Sequence, residues 1–213
     1  FGKVKPRPVG AKADFPKLDR HFAGRLEMKL PQIKTVRLTK SYIAPSFNTN
    51  REAVYPLLVL SAYLGEGETS KLYKKLVLEE KNALGVSVAY DFASRSYGGF
   101  SISAMPKEDV DAKAFETALD KAVKEALAEI SVEEIEKTKG KMLAGQVYLR
   151  DNPNDAAYIA GSMAAVGMSV EDIENHADNI RKVSAADVRK AAKNLFGRAI
   201  NVTGVIKPEK EGR

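Results

Sequence analysis

Between Val54 and Asp91 four unlike pieces follow one another in a fixed order, and that order narrows the folds open to this chain more than any other feature. An apolar run comes first, Val54-Tyr55-Pro56-Leu57-Leu58-Val59-Leu60-Ser61-Ala62-Tyr63-Leu64. It is apolar nearly all round, which predicts a central, buried helix over about 52–64. Asn50 offers an N-cap, and Pro56 falls in the first turns, where a missing N–H matters least. A glycine turn follows, Gly65-Glu66-Gly67-Glu68-Thr69-Ser70, with Gly65 and Gly67 as helix stops and Thr69 or Ser70 as the next cap. A charged stretch from Lys71 to Lys81 then sets Leu72, Tyr73, Leu76 and Val77 on one helical face. Last, Val86, Val88, Tyr90 and Phe92 alternate as in a strand.

The flanking segments extend the pattern. Leu26, Met28 and Leu30 alternate with Arg25, Glu27 and Lys29, which predicts a half-buried strand. Residues 34–44 are rich in β-branched side chains and stop at Pro45, a second strand. Phe100, Ile102 and Ala104 alternate after a turn expected around Gly98-Gly99, giving a hairpin with one face on the core. Phe115, Ala118, Leu119, Ala122, Val123, Ala126 and Leu127 keep helical spacing. Ser131 with Glu134, Ser169 with Asp172 and Ser184 with Asp187 have the spacing of capping boxes. Pro153 should break the helix after Ser131 near residues 151–155, with helix resuming over 156–166. Ile200, Val202 and Gly204 alternate in a last strand. The fold class expected is α+β, an antiparallel-rich sheet of about five strands with helices packed on it. Residues 1–24, with Pro6, Pro8 and Pro16, read as a linker or the tail of a preceding unit, and residues 25–213 as one domain. Phe1-Gly2-Lys3-Val4-Lys5-Pro6-Arg7-Pro8 reads as the interior of a longer protein.

Composition excludes several functions. No apolar run approaches the roughly 18 residues of a membrane span. The net charge of +6 comes from 34 basic and 28 acidic residues that are interleaved, whereas a nucleic-acid face clusters its cations. There is no cysteine, so disulfides and thiolate metal sites are absent. The two histidines, His21 and His176, lie far apart, one in the linker and one in a polar helical context. They read as surface residues, not as a metal pair, which usually shares one helix. No G-x-S-x-G or P-loop occurs, and Gly65-x-Gly67 follows a helix and lacks the third glycine of a dinucleotide fingerprint. Among the carboxylate pairs only Glu66 and Glu68 stand out, flanking a glycine in an exposed turn; Glu133 and Glu134 suit a helix first turn.

Leu64-Gly65-Glu66-Gly67-Glu68-Thr69-Ser70-Lys71-Leu72-Tyr73 resembles the second, non-catalytic half of pitrilysin/insulinase-type zinc metallopeptidases, the group of the mitochondrial processing peptidase. The resemblance extends to Ala83-Leu84-Gly85-Val86-Ser87-Val88-Ala89-Tyr90, to Arg150-Asp151-Asn152-Pro153 at a break in a long helix, and to Phe1–Pro6 at the end of a preceding catalytic half. It implies two such halves enclosing a chamber, with zinc held in the other half by an inverted H-x-x-E-H helix and a distant Glu. The equivalent helix here, Val54 to Leu64, has no His, Glu or Asp, so no cofactor is expected in this fragment and zinc is expected in the catalytic half. The family's second half can bring an Arg and a Tyr to the substrate; those positions fall here near Val77 or Glu79 and on Val86, so no catalytic residue is carried over. The resemblance assigns a substrate-facing role to Gly65, Glu66, Gly67, Glu68, Thr69 and Ser70. Partners implied are a catalytic peptidase half, in the same chain or in a partner subunit, and a peptide substrate, with no nucleic acid and no membrane span. Many bacterial relatives are exported, which points to the periplasm and leaves the compartment open. Two functions follow: the non-catalytic half of a zinc metalloendopeptidase that closes the chamber and helps bind peptide, or a scaffold subunit pairing with a separate catalytic chain.

Overall fold

The alternating segments form five strands: β1 (Gly24–Leu30), β2 (Arg37–Ala44), β3 (Ala83–Asp91), β4 (Gly98–Pro106) and β5 (Val202–Pro208). In this computed structural model, which describes residues 23–150, 153–197 and 200–209, they make one sheet in the order β1-β5-β2-β4-β3. The β3–β4, β2–β4 and β2–β5 pairs are antiparallel, and β1 joins β5 in parallel. The architecture is the α+β, largely antiparallel one expected.

Period-two alternation divides the sheet into two unlike faces. Leu38, Tyr42, Ala44, Val86, Tyr90, Phe100, Ile102, Ala104 and Val205 are buried. Against them pack the helices α1 (Arg51–Gly65), α3 (Ala112–Ala128), α4 (Val132–Arg150), α7 (His176–Lys182) and α8 (Ala185–Phe196), whose apolar residues share the same core. Phe196 of α8 meets Tyr42 and Phe100 edge-on, with centroids 5.0 and 5.8 Å away. The opposite face carries Thr39, Ser41, Ile43, Ser101 and Ser103, all exposed or half-buried.

The core helix is α1, as its all-round apolarity predicts: Val54, Leu57, Val59, Leu60, Tyr63 and Leu64 are buried. Asn50 occupies the N-cap position but its side chain bonds no helix N–H, and Pro56 lies inside the helix, past its first turn. Full capping boxes form at Ser169–Asp172, opening α6 (Val170–Glu174), and at Ser184–Asp187, opening α8. At Ser131 the hydroxyl accepts the Glu134 N–H at 3.2 Å. α5 (Pro153–Ala165) begins on the proline itself, so helix resumes three residues earlier than expected; Asp151 and Asn152 lie outside the described residues.

Four expectations need correction. β1 is not half-buried: Leu26 and Met28 are 59% and 45% exposed, because no helix among the described residues covers their face of the edge strand. The second strand starts at Arg37, not at residue 34. Gly98 and Gly99 are not a turn but open β4, paired with Ala44 and Ile43; a Cβ on Gly98 would stand 2.1 Å from the Asp91 carbonyl oxygen. The helix after the glycine turn is not a regular α-helix: α2 (Lys71–Tyr73) widens into a π-helical segment (Lys74–Glu79), closed by the Glu80 N–H donating to the Lys75 carbonyl at 2.9 Å. The linker expected over residues 1–24 lies, as far as residue 22 and with His21, outside the described residues.

Candidate functional site

The six turn residues do unequal work. Gly65 is the last residue of α1 and is buried against β3; a Cβ there would stand 2.4 to 2.6 Å from Val88 Cγ2, N and Cβ. Its glycine is therefore required by space. The residue with positive φ is Gly67, at +72° with open room around it. Glu66 caps α1, its N–H donating to the Ala62 carbonyl at 3.1 Å. Ser70 is buried and ties the turn: its N–H and hydroxyl both donate to the Gly67 carbonyl, at 3.2 and 2.7 Å. Neither Ser70 nor Thr69 caps α2 with its side chain. The Thr69 hydroxyl instead accepts from Lys141 Nζ of α4 at 2.5 Å. Glu66, Gly67, Glu68 and Thr69 are exposed.

Glu66, Thr69 and Ser70 form one wall of a cleft of about 190 Å³; Lys71 and Lys74 continue it, and Glu134, Lys137, Thr138 and Lys141 of α4 form the other wall. Gly67 and Glu68 lie outside it. Tyr63 closes the floor, its hydroxyl donating to the Ala126 carbonyl at 2.8 Å, and burial pushes that phenol well above its ordinary pKa of 10.0. Lys71 Nζ stands 5.8 Å from the Tyr63 ring centroid and pairs with Glu129 at 3.0 Å and Glu134 at 3.6 Å. The α4 lysines escape a reading of the sequence that treats residues 133–141 as interleaved charge. Their signal is the i,i+4 spacing of Lys137 and Lys141, which stacks like charges on one helix face.

Among the described residues no three His, Cys, Asp or Glu side chains gather as a metal-holding group. α1 offers no His, Cys, Asp or Glu between Val54 and Leu64, so its residues do not fit zinc. Val86 is buried in the core, Val77 packs against it, and Glu79 is exposed beside Lys75 at 3.9 Å. His176 is not the surface residue its polar helix suggests. It is half-buried, its ring centroid 6.0 Å from that of Phe92 and 5.4 Å from that of Tyr55. Its Nδ1 is buried without a hydrogen-bond partner among the described residues, and burial lowers its pKa below 6.5.

Solved structures share this fold. A protease from Helicobacter pylori superposes with a TM-score of 0.85 at 18% identity, covering 98% of this chain and 50% of its own. The peptidase M16 inactive domain from Pseudomonas fluorescens gives 0.73 at 15% identity, over 97% of this chain and 48% of that one. The periplasmic protease PqqL from Escherichia coli gives 0.67 at 14% identity, over 98% of this chain and 23% of that one. The chain thus spans half the length of the Helicobacter protease, and identities this low speak for the fold alone. No curated protein matches the chain. The family model described as the peptidase M16 inactive domain matches residues 1–142, two thirds of the 213, and the chain therefore belongs to that family, the second, non-catalytic half of the pitrilysin-type peptidases.

Proposed function

We propose that this chain is the zinc-less half of a zinc metalloendopeptidase, closing a chamber over unfolded peptide and contributing to its binding. One observation carries the reading: an inactive-domain family member covers almost the whole of its own length, but only half of a protein named as a protease. A catalytic half, in the same polypeptide or a partner, supplies the zinc ligands that α1 lacks. The bare sheet face supports such pairing. Leu26, Met28, Ile43 and Val202 expose 40 to 59% of their surface there, an apolar patch suited to burial against a second half. The exposed turn from Glu66 to Thr69 is the element offered to peptide, and Gly65 and Ser70 hold it in shape.

The test is reconstitution. Mixed with a catalytic half carrying the inverted zinc motif, the chain should restore cleavage of casein or quenched peptides that a chelator abolishes, with neither half active alone. Chelator-sensitive hydrolysis by this chain alone, free of contaminants, would overturn the reading. In the reconstituted enzyme, changing both Glu66 and Glu68 to Ala should alter turnover. Unchanged kinetics across peptides of differing charge would reduce the turn to a connector and favour a scaffold subunit.

A further inference from the structure

We propose that the cleft between the Gly65–Ser70 turn and α4 is a subsite for a carboxylate, from an acidic side chain or the free C-terminus of a bound peptide. The proposal rests on the peptide-binding reading above and gives it a chemistry. Several lysines elsewhere are paired with carboxylates. Lys75 meets Glu79, Glu80 and Glu125, Lys121 meets Glu125, Lys40 meets Glu116 and Asp120, and Lys139 meets Glu136. In the cleft, three lysines converge without such a pair among the described residues. Lys71 is already held by Glu129 and Glu134, which removes one cation and one cleft carboxylate from account. Among the described residues Lys141 reaches a neutral acceptor, the Thr69 hydroxyl. The ammonium groups of Lys74 and Lys137 have no ion pair or hydrogen bond among the described residues. Among the described residues, three such lysines and one carboxylate held by no ion pair, Glu66, thus line the same cleft of about 190 Å³.

Lys137 and Lys141 are like charges at i,i+4, a destabilising spacing, and Lys74 adds a third from the opposite wall. A carboxylate entering the cleft relieves that repulsion and accepts charge-assisted hydrogen bonds from flexible donors. The Thr69 and Thr138 hydroxyls stand in the same lining.

The test is fluorescence anisotropy on the whole chain with four fluorescein-labelled decapeptides built on one Ala/Ser frame: neutral and amidated, neutral with a free C-terminus, amidated with three Glu, and amidated with three Lys. We expect the Glu peptide, the free-carboxylate peptide, or both, to bind at least about fivefold tighter than the neutral amide, the scale of one or two partly screened ion pairs. Which of them gains identifies the source of the carboxylate. The gain should vanish in Lys137→Gln/Lys141→Gln and survive in Lys113→Gln/Lys124→Gln, a control pair on α3 that removes the same charge elsewhere. Equal loss in both variants would reduce the preference to net charge and overturn the proposal. So would equal affinity for all four peptides, or preference for the Lys peptide, in either case leaving peptide binding itself intact. Binding of none, by the chain or by the reconstituted enzyme, would sink the underlying reading together with the proposal. Far-UV circular dichroism and urea unfolding of both variants separate a lost contact from a lost fold.

Discussion

At Gly65 a missing side chain matters because of space. The sequence marks the position as a helix stop, and that much is legible, but the stop does not depend on a left-handed residue there: the close contact is with Val88 of β3. No local pattern reports such an approach, because it depends on how α1 lies across the sheet. Gly65→Ala should lower stability by about 1–3 kcal/mol in urea unfolding, the range of an overpacked core. Adding Val88→Ala should give only partial relief, since Val88 N would remain 2.5 Å from the new Cβ. Full rescue, or no loss in the single variant, would contradict the packing account. His176 was equally opaque from sequence, since its polar neighbours on α7 hide the ring's place between Tyr55 and Phe92. Burial favours its neutral form, so its folded pKa lies below 6.5. Its contribution is complete above pH 6.5 and is lost as pH falls from there through the folded pKa, as the unfolded chain takes up the proton first. Stability should therefore drop between pH 7.5 and 5, and His176→Phe should flatten that part of the profile in urea titrations. An unchanged slope in the variant would mean that the ring titrates as it does when unfolded.

Among the elements, those governed by local rules were readable and those governed by contacts were not. Both Ser–Asp boxes close as their spacing requires, since capping involves only neighbouring residues. α1 was readable because a helix apolar on every side has one place to go. β1 misled because alternation shows that a strand has two faces, not which of them is covered. The π-helical segment left no signal in the periodicity of Leu72, Tyr73, Leu76 and Val77. Lys139 of α4 is the sharpest case. In sequence it belongs to a solvated charge run, yet it is 5% exposed and donates to the carbonyls of Arg181 and Val183 at 2.9 and 2.8 Å, beside Glu136 at 2.7 Å. It serves as a remote cap for the end of α7, which its own sequence leaves open. Lys139→Met keeps the volume and removes the donor, so the carbonyls lose their partner and stability should fall by about 1–3 kcal/mol on denaturation. A neutral result would show that water replaces the ammonium group at no loss.

For the whole molecule, family and architecture were legible because the order of pieces from Val54 to Asp91 is set by the topology itself, in which α1 packs against β3 and β3 returns as β4. The candidate cleft was half legible. Its turn is contiguous in sequence, while Lys137 and Lys141 arrive from a helix that reaches the turn only through the fold. The same separation governs metal chemistry: a donor set must be gathered, and here His176 is walled in by aromatic rings. After equilibration with trace zinc and dialysis, metal analysis should find far less than one equivalent on the chain. A tight one-to-one site that disappears in His21→Ala or His176→Ala would reverse that conclusion. The sheet order has a different consequence, one of timing. β5 lies between β1 and β2, and among the described residues it is the sole strand paired with β1. During synthesis the first strand emerges from the ribosome long before its partner exists, and no partial product can complete the sheet. The nascent chain must keep Leu26 and Met28 from wrong partners until Val202–Pro208 emerges, so the pairing that completes the sheet is also the last to become possible.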